Sequence, residues 1–409
     1  MTSTTREPVH LGEEFFADPH AMYAVLREQR PAVRATTALG LPIWLVTRYE
    51  EARAALNDPR LAKDNAQLST VIERHLPDPS QRLAFGEAIS AHMLSTDPPD
   101  HTRLRKLVNR GFTVRSVSAL RPRIQATADS LVDAIEARVR AGQPTLDLLD
   151  AYAFPLPMTV IAQILGVGEE DRGSFRNWSN TLLSQKPIKE RAAAGMAMAE
   201  YLTALVASKR EQPGDDLLSL IVTAAEDADQ LSEREAVSMA FLLLVAGHET
   251  TVNLIGNGML GLLTNPDRLA ELRADPGLVS AAVEEFLRFD GPLNTATFRH
   301  TKEPVTIGDV EIPAGEVVLV SLSSANRDPA RFDRPDELDL ARDTSGHLAF
   351  GYGIHHCLGA PLARLEGEIA FRTLIARFPR IRLAVDPAGL TWRNSMLIRG
   401  LDRLPVSLA

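Results

Sequence analysis

Cys357 is the only cysteine of the 409-residue chain. A single cysteine excludes an internal disulfide and any multi-cysteine zinc or iron–sulfur site. Residues 346–359 around it are rich in glycine and histidine and lack periodicity, which predicts a loop leading into a helix over residues 360–378. A cysteine just before a helix N-terminus can be stabilised as a thiolate by the helix dipole and backbone N–H groups. Without such surroundings, a lone cysteine is an inert packing residue.

The longest predicted helix lies in the middle of the chain. Ser232 and Glu235 form a capping box, and the apolar pattern then continues to the stop signal at Asn265 and Pro266. These signals predict a helix of roughly 33 residues, about 50 Å long. Because its central face is almost wholly apolar, we expect it to be buried.

Residues 246–251 interrupt that apolar face with the sequence Ala-Gly-His-Glu-Thr-Thr. A glycine inside a helix costs about 1 kcal/mol relative to alanine, and a buried acid is expensive unless it is paired or hydrated. In a structural interpretation, the threonines bond back to carbonyls one turn earlier and Glu249 faces solvent. A zinc-protease motif is excluded, because its fifth position is Val252.

The cysteine loop and the central helix together carry a family resemblance. Phe350, Gly353, His355, Cys357 and Gly359 match the signature Phe-x-x-Gly-x-(Arg or His)-x-Cys-x-Gly at every defined position. Residues 246–251 resemble the motif (Ala or Gly)-Gly-x-(Asp or Glu)-Thr-Thr. On these motifs the chain resembles the cytochrome P-450 superfamily, and within it the bacterial class I hydroxylases of macrolides, terpenoids and sterols from actinobacteria.

This resemblance implies a cofactor and a set of roles. Cys357 would be the metal ligand, binding the iron of haem b, and Phe350 would pack beside its sulfur. Glu249 and Thr250 would be the catalytic residues that relay protons during oxygen activation, and Gly247 would leave room for dioxygen. The positions expected to contact the cofactor are His101, Arg105, Ala246, Gly247, Thr250, Arg299, Phe350, His355, Cys357 and Gly359.

Haem propionates need cationic partners, and three of those positions supply them. His101 and Arg105 are four residues apart on a predicted helix, so they project from one face and could hold carboxylates. An ordinary basic surface helix explains the same spacing. The family carries this pair, and it places an arginine, here Arg299, after the helix and turn at residues 290–297.

Glu285 and Arg288 match a Glu-x-x-Arg pair of the family. By spacing alone they form an exposed ion pair worth a few tenths of a kcal/mol. The resemblance implies a structural ion pair that bonds to the loop carrying the cysteine, with Arg342 as a third member.

Arg103, Lys106 and Arg110 form a basic face on the predicted helix of His101. The alternatives are a solvated face and a docking patch for an acidic ferredoxin. The resemblance implies ferredoxin and ferredoxin reductase as electron donors, because no flavin or nicotinamide motif is visible in the sequence.

Composition sets the remaining limits. The chain is 45% hydrophobic and 24% charged, as expected for a globular protein, and its net charge of -9 argues against nucleic acid as the main partner. The longest apolar run, residues 239–246, is shorter than the roughly 20 residues of a spanning helix, and the N-terminus is not typical of a signal peptide. We therefore expect a cytoplasmic protein without membrane contact, and a monomer.

The resemblance covers nearly the whole chain and implies one domain over residues 1–409. The fold would be mainly α with small β-sheets, with the haem between the central helix and the cysteine loop. The pocket would include parts of residues 65–94 and 183–189, and it would accept a lipophilic substrate. The individual positions predicted for this pocket are Leu94, Leu242, Leu243, Ala246, Leu293, Thr295, Met396 and Leu397.

Two alternatives stay open on the residues alone. A haem-thiolate sensor or electron carrier would share the cysteine loop but would not need Glu249 and Thr250. A helical module that binds small molecules without haem would need neither feature. We expect a monooxygenase that hydroxylates or epoxidises its substrate.

Overall fold

The computed structural model describes residues 8–76, 90–183, 186–223 and 231–408. Parts of the two predicted pocket segments, residues 77–89 and 184–185, lie outside the described residues. The prediction of a mainly α protein with small sheets is confirmed. The α-helices of the described residues are α1 (Glu13–Ala17), α2 (Pro19–Gln29), α3 (Tyr49–Asn57), α4 (Asn65–His75), α5 (Asp100–Asn109), α6 (Val114–Ala119), α7 (Arg121–Arg140), α8 (Pro155–Leu165), α9 (Arg172–Leu182), α10 (Ile188–Glu211), α11 (Leu217–Thr223), α12 (Glu233–Thr264), α13 (Pro266–Ala274), α14 (Val279–Asp290), α15 (Leu322–Asn326) and α16 (Ala360–Arg377).

The central helix is α12, and its predicted boundaries are confirmed. Ser232 Oγ accepts from the backbone N–H of Glu235 at 3.2 Å, and the Glu235 carboxylate accepts from the backbone N–H of Ser232 at 2.9 Å, which completes the capping box. Helices α8, α10, α14 and α16 all pack against α12. Among the described residues, α12 is the one helix long and apolar enough to cross a membrane, and 83% of its apolar window is buried inside the protein. Its apolar face is therefore core.

Three sheets accompany the helices in the described part of the chain. The largest has six strands in the order β1-β2-β3-β9-β6-β4, with β3 parallel to β9 and β6 antiparallel to both β9 and β4. The other two are β10-β11-β5 and the hairpin β7-β8. The strands are β1 (Val9–Leu11), β2 (Ala32–Thr37), β3 (Pro42–Val46), β4 (Leu61–Ala62), β5 (Thr145–Asp147), β6 (Arg299–Thr301), β7 (Val305–Ile307), β8 (Val310–Ile312), β9 (Val317–Val320), β10 (Arg382–Leu383) and β11 (Pro405–Ser407).

The hairpin and the apolar run after it belong to different sheets. The alternating residues of β7 and β8 pair around Gly308, whose φ of 59° suits a tight turn. The following strand, β9, pairs instead with β3, which lies far away in the sequence. All four residues of β9 are buried, whereas the hairpin alternates buried and exposed positions. The central position of β9 in the larger sheet, between β3 and β6, explains why both of its faces are buried.

Candidate functional site

The cysteine loop is held by its own backbone. Gly351 and Gly353 have φ angles of 70° and 73°, in a region that side chains rarely adopt. The backbone N–H of Cys357 donates to the carbonyl of Phe350 at 2.8 Å. This closed turn ends three residues before α16, so Cys357 lies at the helix N-terminus as predicted.

Arg105 on α5 holds the same loop from outside. Its Nη1 donates to the carbonyl of Ile354 at 2.8 Å, and its Nη2 donates to the carbonyl of His356 at 2.7 Å. A planar guanidinium can bridge two acceptors in this way, whereas an ammonium group lacks the fork geometry. The position of the loop is therefore tied to α5.

The Cys357 thiol faces a cavity and experiences opposing influences. Burial raises its pKa, while the backbone N–H groups of Gly359 and Ala360 and the charge of Arg105 lower it. The net effect is a raised pKa, although the residue is exposed towards the cavity. A metal ion at the sulfur would supply the positive charge that removes the proton.

Phe350 is supported by a charged group on α16. The Arg364 guanidinium lies over the Phe350 ring, 4.5 Å from its centroid, and donates to the Glu284 carboxylate at 2.6 and 2.9 Å. His347 is 3.0 Å from the same carboxylate. These contacts lower the pKa of Glu284 to about 2, although burial opposes them. The ion pair fixes the aromatic ring next to the cysteine loop.

Six basic side chains line the same cavity. We call five of them the basic cluster, leaving out His356: Lys63, His101, Arg105, Arg299 and His355. The rings of His101 and His355 are in edge contact, with centroids 4.5 Å apart. Lys63 follows β4, and Arg299 begins β6, the strand paired with β4. Two strands, α5 and the cysteine loop thus bring these groups to one wall.

Burial controls the charge of the basic cluster. It lowers the pKa of His355 to about 2 and that of Arg299 to about 10, and the neighbouring cations of the cluster add to the effect on His355. Burial also lowers the pKa of His101 and takes that of Lys63 well below its usual value. The two histidines are therefore neutral near pH 7, and each has a ring N–H to donate.

Three nitrogen atoms of this cluster fit an anionic ligand. Within the described residues, Nε2 of His101, Nε2 of His355 and Nε of Arg299 are buried and have no hydrogen-bond partner. Buried donors without partners are costly, so a wall that collects three of them suits a ligand with acceptor oxygens. The two carboxylates of a haem, with Cys357 as the iron ligand, match this chemistry.

The cavity and its mouth hold about 1430 Å³ of empty space. All ten positions expected to contact the cofactor line it, and so do seven of the eight predicted pocket positions. The exception is Met396, which packs against the cluster of Leu11 and Phe15 near the N-terminus. Its neighbour Leu397 lines the cavity, so these two consecutive side chains lie on different sides of the segment.

The α12 wall of the cavity includes Ala246, Gly247 and Thr250. A Cβ at Gly247 would lie 2.9 Å from Ile161 on α8, so the glycine allows the two helices to pack closely. This finding adds a packing reason to the predicted one, which was space for dioxygen. Thr250 Oγ1 donates to the Ala246 carbonyl at 2.9 Å, the backbone contact of the structural interpretation, while Thr250 still lines the cavity.

Glu249 points elsewhere and does not face solvent. Its side chain is 2% exposed and pairs with Arg393, whose own side chain is 23% exposed. His248 Nε2 is 3.6 Å from the second carboxylate oxygen. Glu249 is not among the residues that line the cavity, so the structure separates it from Thr250.

Comparison with known proteins decides the family. The cytochrome P450 family model matches residues 40–384. The chain is a cytochrome P450. The expected family and its fold are thus confirmed, and the chain is an oxidoreductase of the monooxygenase type.

Relatives of this P450 match it along nearly its whole length. It is 53% identical over 394 residues to cytochrome P450 107B1 of Saccharopolyspora erythraea, covering 96% of each chain. It is 44% identical to 6-deoxyerythronolide B hydroxylase of the same species, covering 97% of each chain. Among solved structures, the tirandamycin C-bound P450 monooxygenase TamI is similar with a TM-score of 0.91 and 49% identity, over 98% of this chain and 100% of that one.

The Glu285–Arg288 pair of this P450 is buried, not exposed. Arg288 donates from Nε and Nη2 to the Glu285 carboxylate at 2.7 Å each, and Arg342 Nε lies 3.3 Å from that carboxylate. Arg288 Nη1 donates to the carbonyls of Asn326 and Pro335 at 3.0 and 2.8 Å. We call Glu285, Arg288 and Arg342 the Glu285 cluster. Its opposite charges pair with one another, and its remaining donors bond to backbone carbonyls in the segment before the cysteine loop.

The predicted docking face on α5 is divided. Lys106 and Arg110 are exposed, whereas Arg103 is half-buried. The Arg103 guanidinium pairs with Glu235 at the start of α12 and lies 3.7 Å from Asp100. Arg103 therefore helps to join α5 to α12.

Three site residues were missed by the sequence analysis: Lys63, Arg364 and Glu366. Glu366 lines the cavity, is 1% exposed, and has no hydrogen-bond partner for either carboxylate oxygen among the described residues. Burial raises its pKa to about 8, so it holds a proton at neutral pH. An acid on the buried stripe of Leu362, Leu365 and Ile369 was a signal that could have found it. Lys63 and Arg364 have no comparable signal, because their partners are distant in sequence.

Proposed function

We propose that this P450 binds haem b and uses dioxygen to hydroxylate or epoxidise a lipophilic secondary metabolite, such as a macrolide or other polyketide, a terpenoid or a sterol. The observation that carries the proposal is one cavity containing Cys357 at a helix N-terminus, the orphan donors of the basic cluster, and a largely apolar wall from α12 and the segments around residues 293 and 397. The names of the relatives, a 6-deoxyerythronolide B hydroxylase and a tirandamycin C complex, support large natural products as substrates.

The residues would divide the work as follows. Cys357 would hold the iron, and His101, Arg105, Arg299 and His355 would hold the carboxylates. Haem held by a thiolate would supply the oxygen chemistry when bound. Leu242, Leu243, Leu293 and Leu397 would exclude water and orient the substrate.

Proton delivery is the second task of the chain's own residues. Thr250 lines the cavity, and Glu366 is a protonated acid on the same cavity. Both would pass protons inward through hydroxyl and carboxyl groups. Glu249 would take part from the other side of α12, where the partly exposed Arg393 links it to solvent.

Electrons would come from a ferredoxin and its reductase. Lys106 and Arg110, with Arg103 beside them, give α5 an exposed basic face near the loop that Arg105 holds. We expect the rate of reduction by an acidic ferredoxin to fall as salt rises, as stopped-flow measurements would show. We also propose one haem domain over residues 1–409, a monomer and a cytoplasmic location.

The deciding experiment is the optical spectrum of the dithionite-reduced protein under carbon monoxide. We expect a strongly red-shifted Soret band in the wild type and its loss in Cys357→Ala. A normal Soret position in the wild type would contradict thiolate ligation. The alternative of a sensor or electron carrier is tested by product formation with a ferredoxin system, since such a protein would bind haem but release no oxidised product.

A further inference from the structure

Lys63 directly follows β4, and Arg299 is the first residue of β6, the strand that pairs with β4. In the antiparallel pairing of β4 with β6, Leu61 lies opposite Thr301 and Ala62 opposite His300. Continued by one residue, the same register places Lys63 opposite Arg299. Like charges directly opposite each other on neighbouring strands are destabilising unless something compensates them.

The Lys63 side chain is buried, and Asp97 acts on it electrostatically without forming an ion pair. The residue is 4% exposed, and its Nζ donates to Thr297 Oγ1 at 2.5 Å. Its backbone N–H donates to the Asp97 carboxylate at 3.1 and 3.2 Å, which fixes where the side chain begins. Among the described residues, no carboxylate lies within ion-pair distance of the ammonium group. A buried ammonium with only a hydroxyl partner is costly.

Charge balance within the basic cluster points to the missing partner. Each terminal nitrogen of Arg105 already donates to a loop carbonyl, and Arg299 Nε is buried without a partner. Arg299 and Lys63 are the two cations of this wall that do not bond to the cysteine loop, and both have donors left for a ligand. A haem presents two carboxylates, so a second free cation matches the second negative charge.

We propose that Lys63 forms an ion pair with a haem carboxylate, oriented by Thr297 and placed by the β4–β6 pairing. The ligand then lies between Lys63 and Arg299 and removes the repulsion of two neighbouring cations. This inference rests on the proposed haem cofactor. It adds Lys63, which lies just before α4, to the residues that hold the cofactor. Lys63 is a positioning residue for the cofactor and takes no part in proton transfer.

The test compares haem retention in the holoprotein and its Lys63→Met variant. Transfer of haem to excess apomyoglobin, followed by absorbance, gives the dissociation rate. We expect roughly tenfold faster loss in K63M, the equivalent of about 1.4 kcal/mol for a lost charge-assisted bond. The reduction potential of the bound iron should also fall, because a nearby positive charge that favours the reduced state is removed.

Three further variants make the result specific. Lys63→Arg keeps the cation and should retain haem nearly as well as the wild type. Thr297→Val keeps the lysine but removes its orienting hydroxyl, so it should give a smaller increase in the rate. Lys302→Met is the matched control: its Nζ is 3.5 Å from the same Asp97 but its side chain is 42% exposed, and the rate should not change.

Equal dissociation rates and potentials in wild type and K63M would overturn the proposal for Lys63 while leaving the haem-thiolate function intact. If K63M does not accumulate as holoprotein, K63R and T297V decide: fast haem loss in K63R or an unchanged rate in T297V contradicts the ion pair. Absence of any haem absorbance in the wild type would instead overturn the proposed function itself.

Discussion

The Glu285 cluster and the basic cluster are both buried, but they satisfy their charges in different ways. In the Glu285 cluster, one carboxylate receives two arginines and the remaining donors reach backbone carbonyls. In the basic cluster there is no internal anion, and three nitrogen atoms are left without partners in the described structure. The difference separates a cluster that holds the fold together from one that is complete only with a ligand.

Removing one partner should therefore affect the two clusters differently, and the largest effect is expected at Arg288. Arg288→Met leaves the buried Glu285 carboxylate with only Arg342 and the backbone N–H of Asp339 as partners, so we expect the free energy of unfolding to fall by about 3–5 kcal/mol. Urea unfolding of the holoprotein measures the change. The control Arg334→Met removes an exposed pair with Glu337 and should leave the unfolding midpoint unchanged. A similar midpoint in both variants would contradict a structural role for the Glu285 cluster.

Glu366 provides an intermediate case, because it is a buried acid that has a proton instead of a partner. Its pKa is raised from 4.5 to about 8, so the folded protein binds a proton that the unfolded chain releases. Between these values, wild-type stability should fall as pH rises. Glu366→Gln cannot lose a proton, so it should gain about 2 kcal/mol over wild type between pH 6 and pH 7.5.

Thermal unfolding of both proteins at several pH values measures that gap. A constant difference between pH 5 and pH 8 would show that Glu366 is ionised in the folded state and would remove it from the proposed proton path. With a ferredoxin system, the same variant should consume electrons with less product, since it cannot donate a proton.

The smallest effect is expected at His355. His355→Phe removes one donor that has no partner and leaves no protein group unsatisfied, so the unfolding midpoint of the haem-free protein should hardly change. Haem loss to apomyoglobin should be roughly tenfold faster, because one hydrogen bond to a charged acceptor is removed. His75→Phe, which removes a histidine that contacts the Gly315 carbonyl outside the cavity, is the control. A marked loss of stability with unchanged haem retention would place His355 with the structural residues.

The sequence predicted those parts of the site whose signals are local. The cysteine loop is one continuous motif, and α12 has a capping box and an apolar face, so both were found with correct boundaries. Met396 and Leu397 could not be told apart by composition, because the side-chain direction in an irregular segment depends on its neighbours. The family motif implied one role for Glu249 and Thr250. Consecutive residues of a helix point about 100° apart, and Thr250 lines the cavity while Glu249 does not.

Contacts across long sequence separations were not predictable. Lys63 is near Arg299 only because β4 pairs with β6, and these strands are two residues and three residues long. Glu249 meets Arg393 from the C-terminal region, 144 residues away. Neither partner leaves a periodic pattern in the sequence.

Arg105 contacts both the cofactor cavity and the cysteine loop, so one side chain sets the position of the loop relative to the cavity. The same side chain that lines the cofactor cavity also grips the carbonyls of Ile354 and His356, on either side of His355. The positions of the Cys357 sulfur and of the His355 ring are consequently both set relative to α5. A lysine at position 105 has a single ammonium group without the fork geometry. It could bond to the loop carbonyls or to the cofactor, but it could not fix the position of one relative to the other.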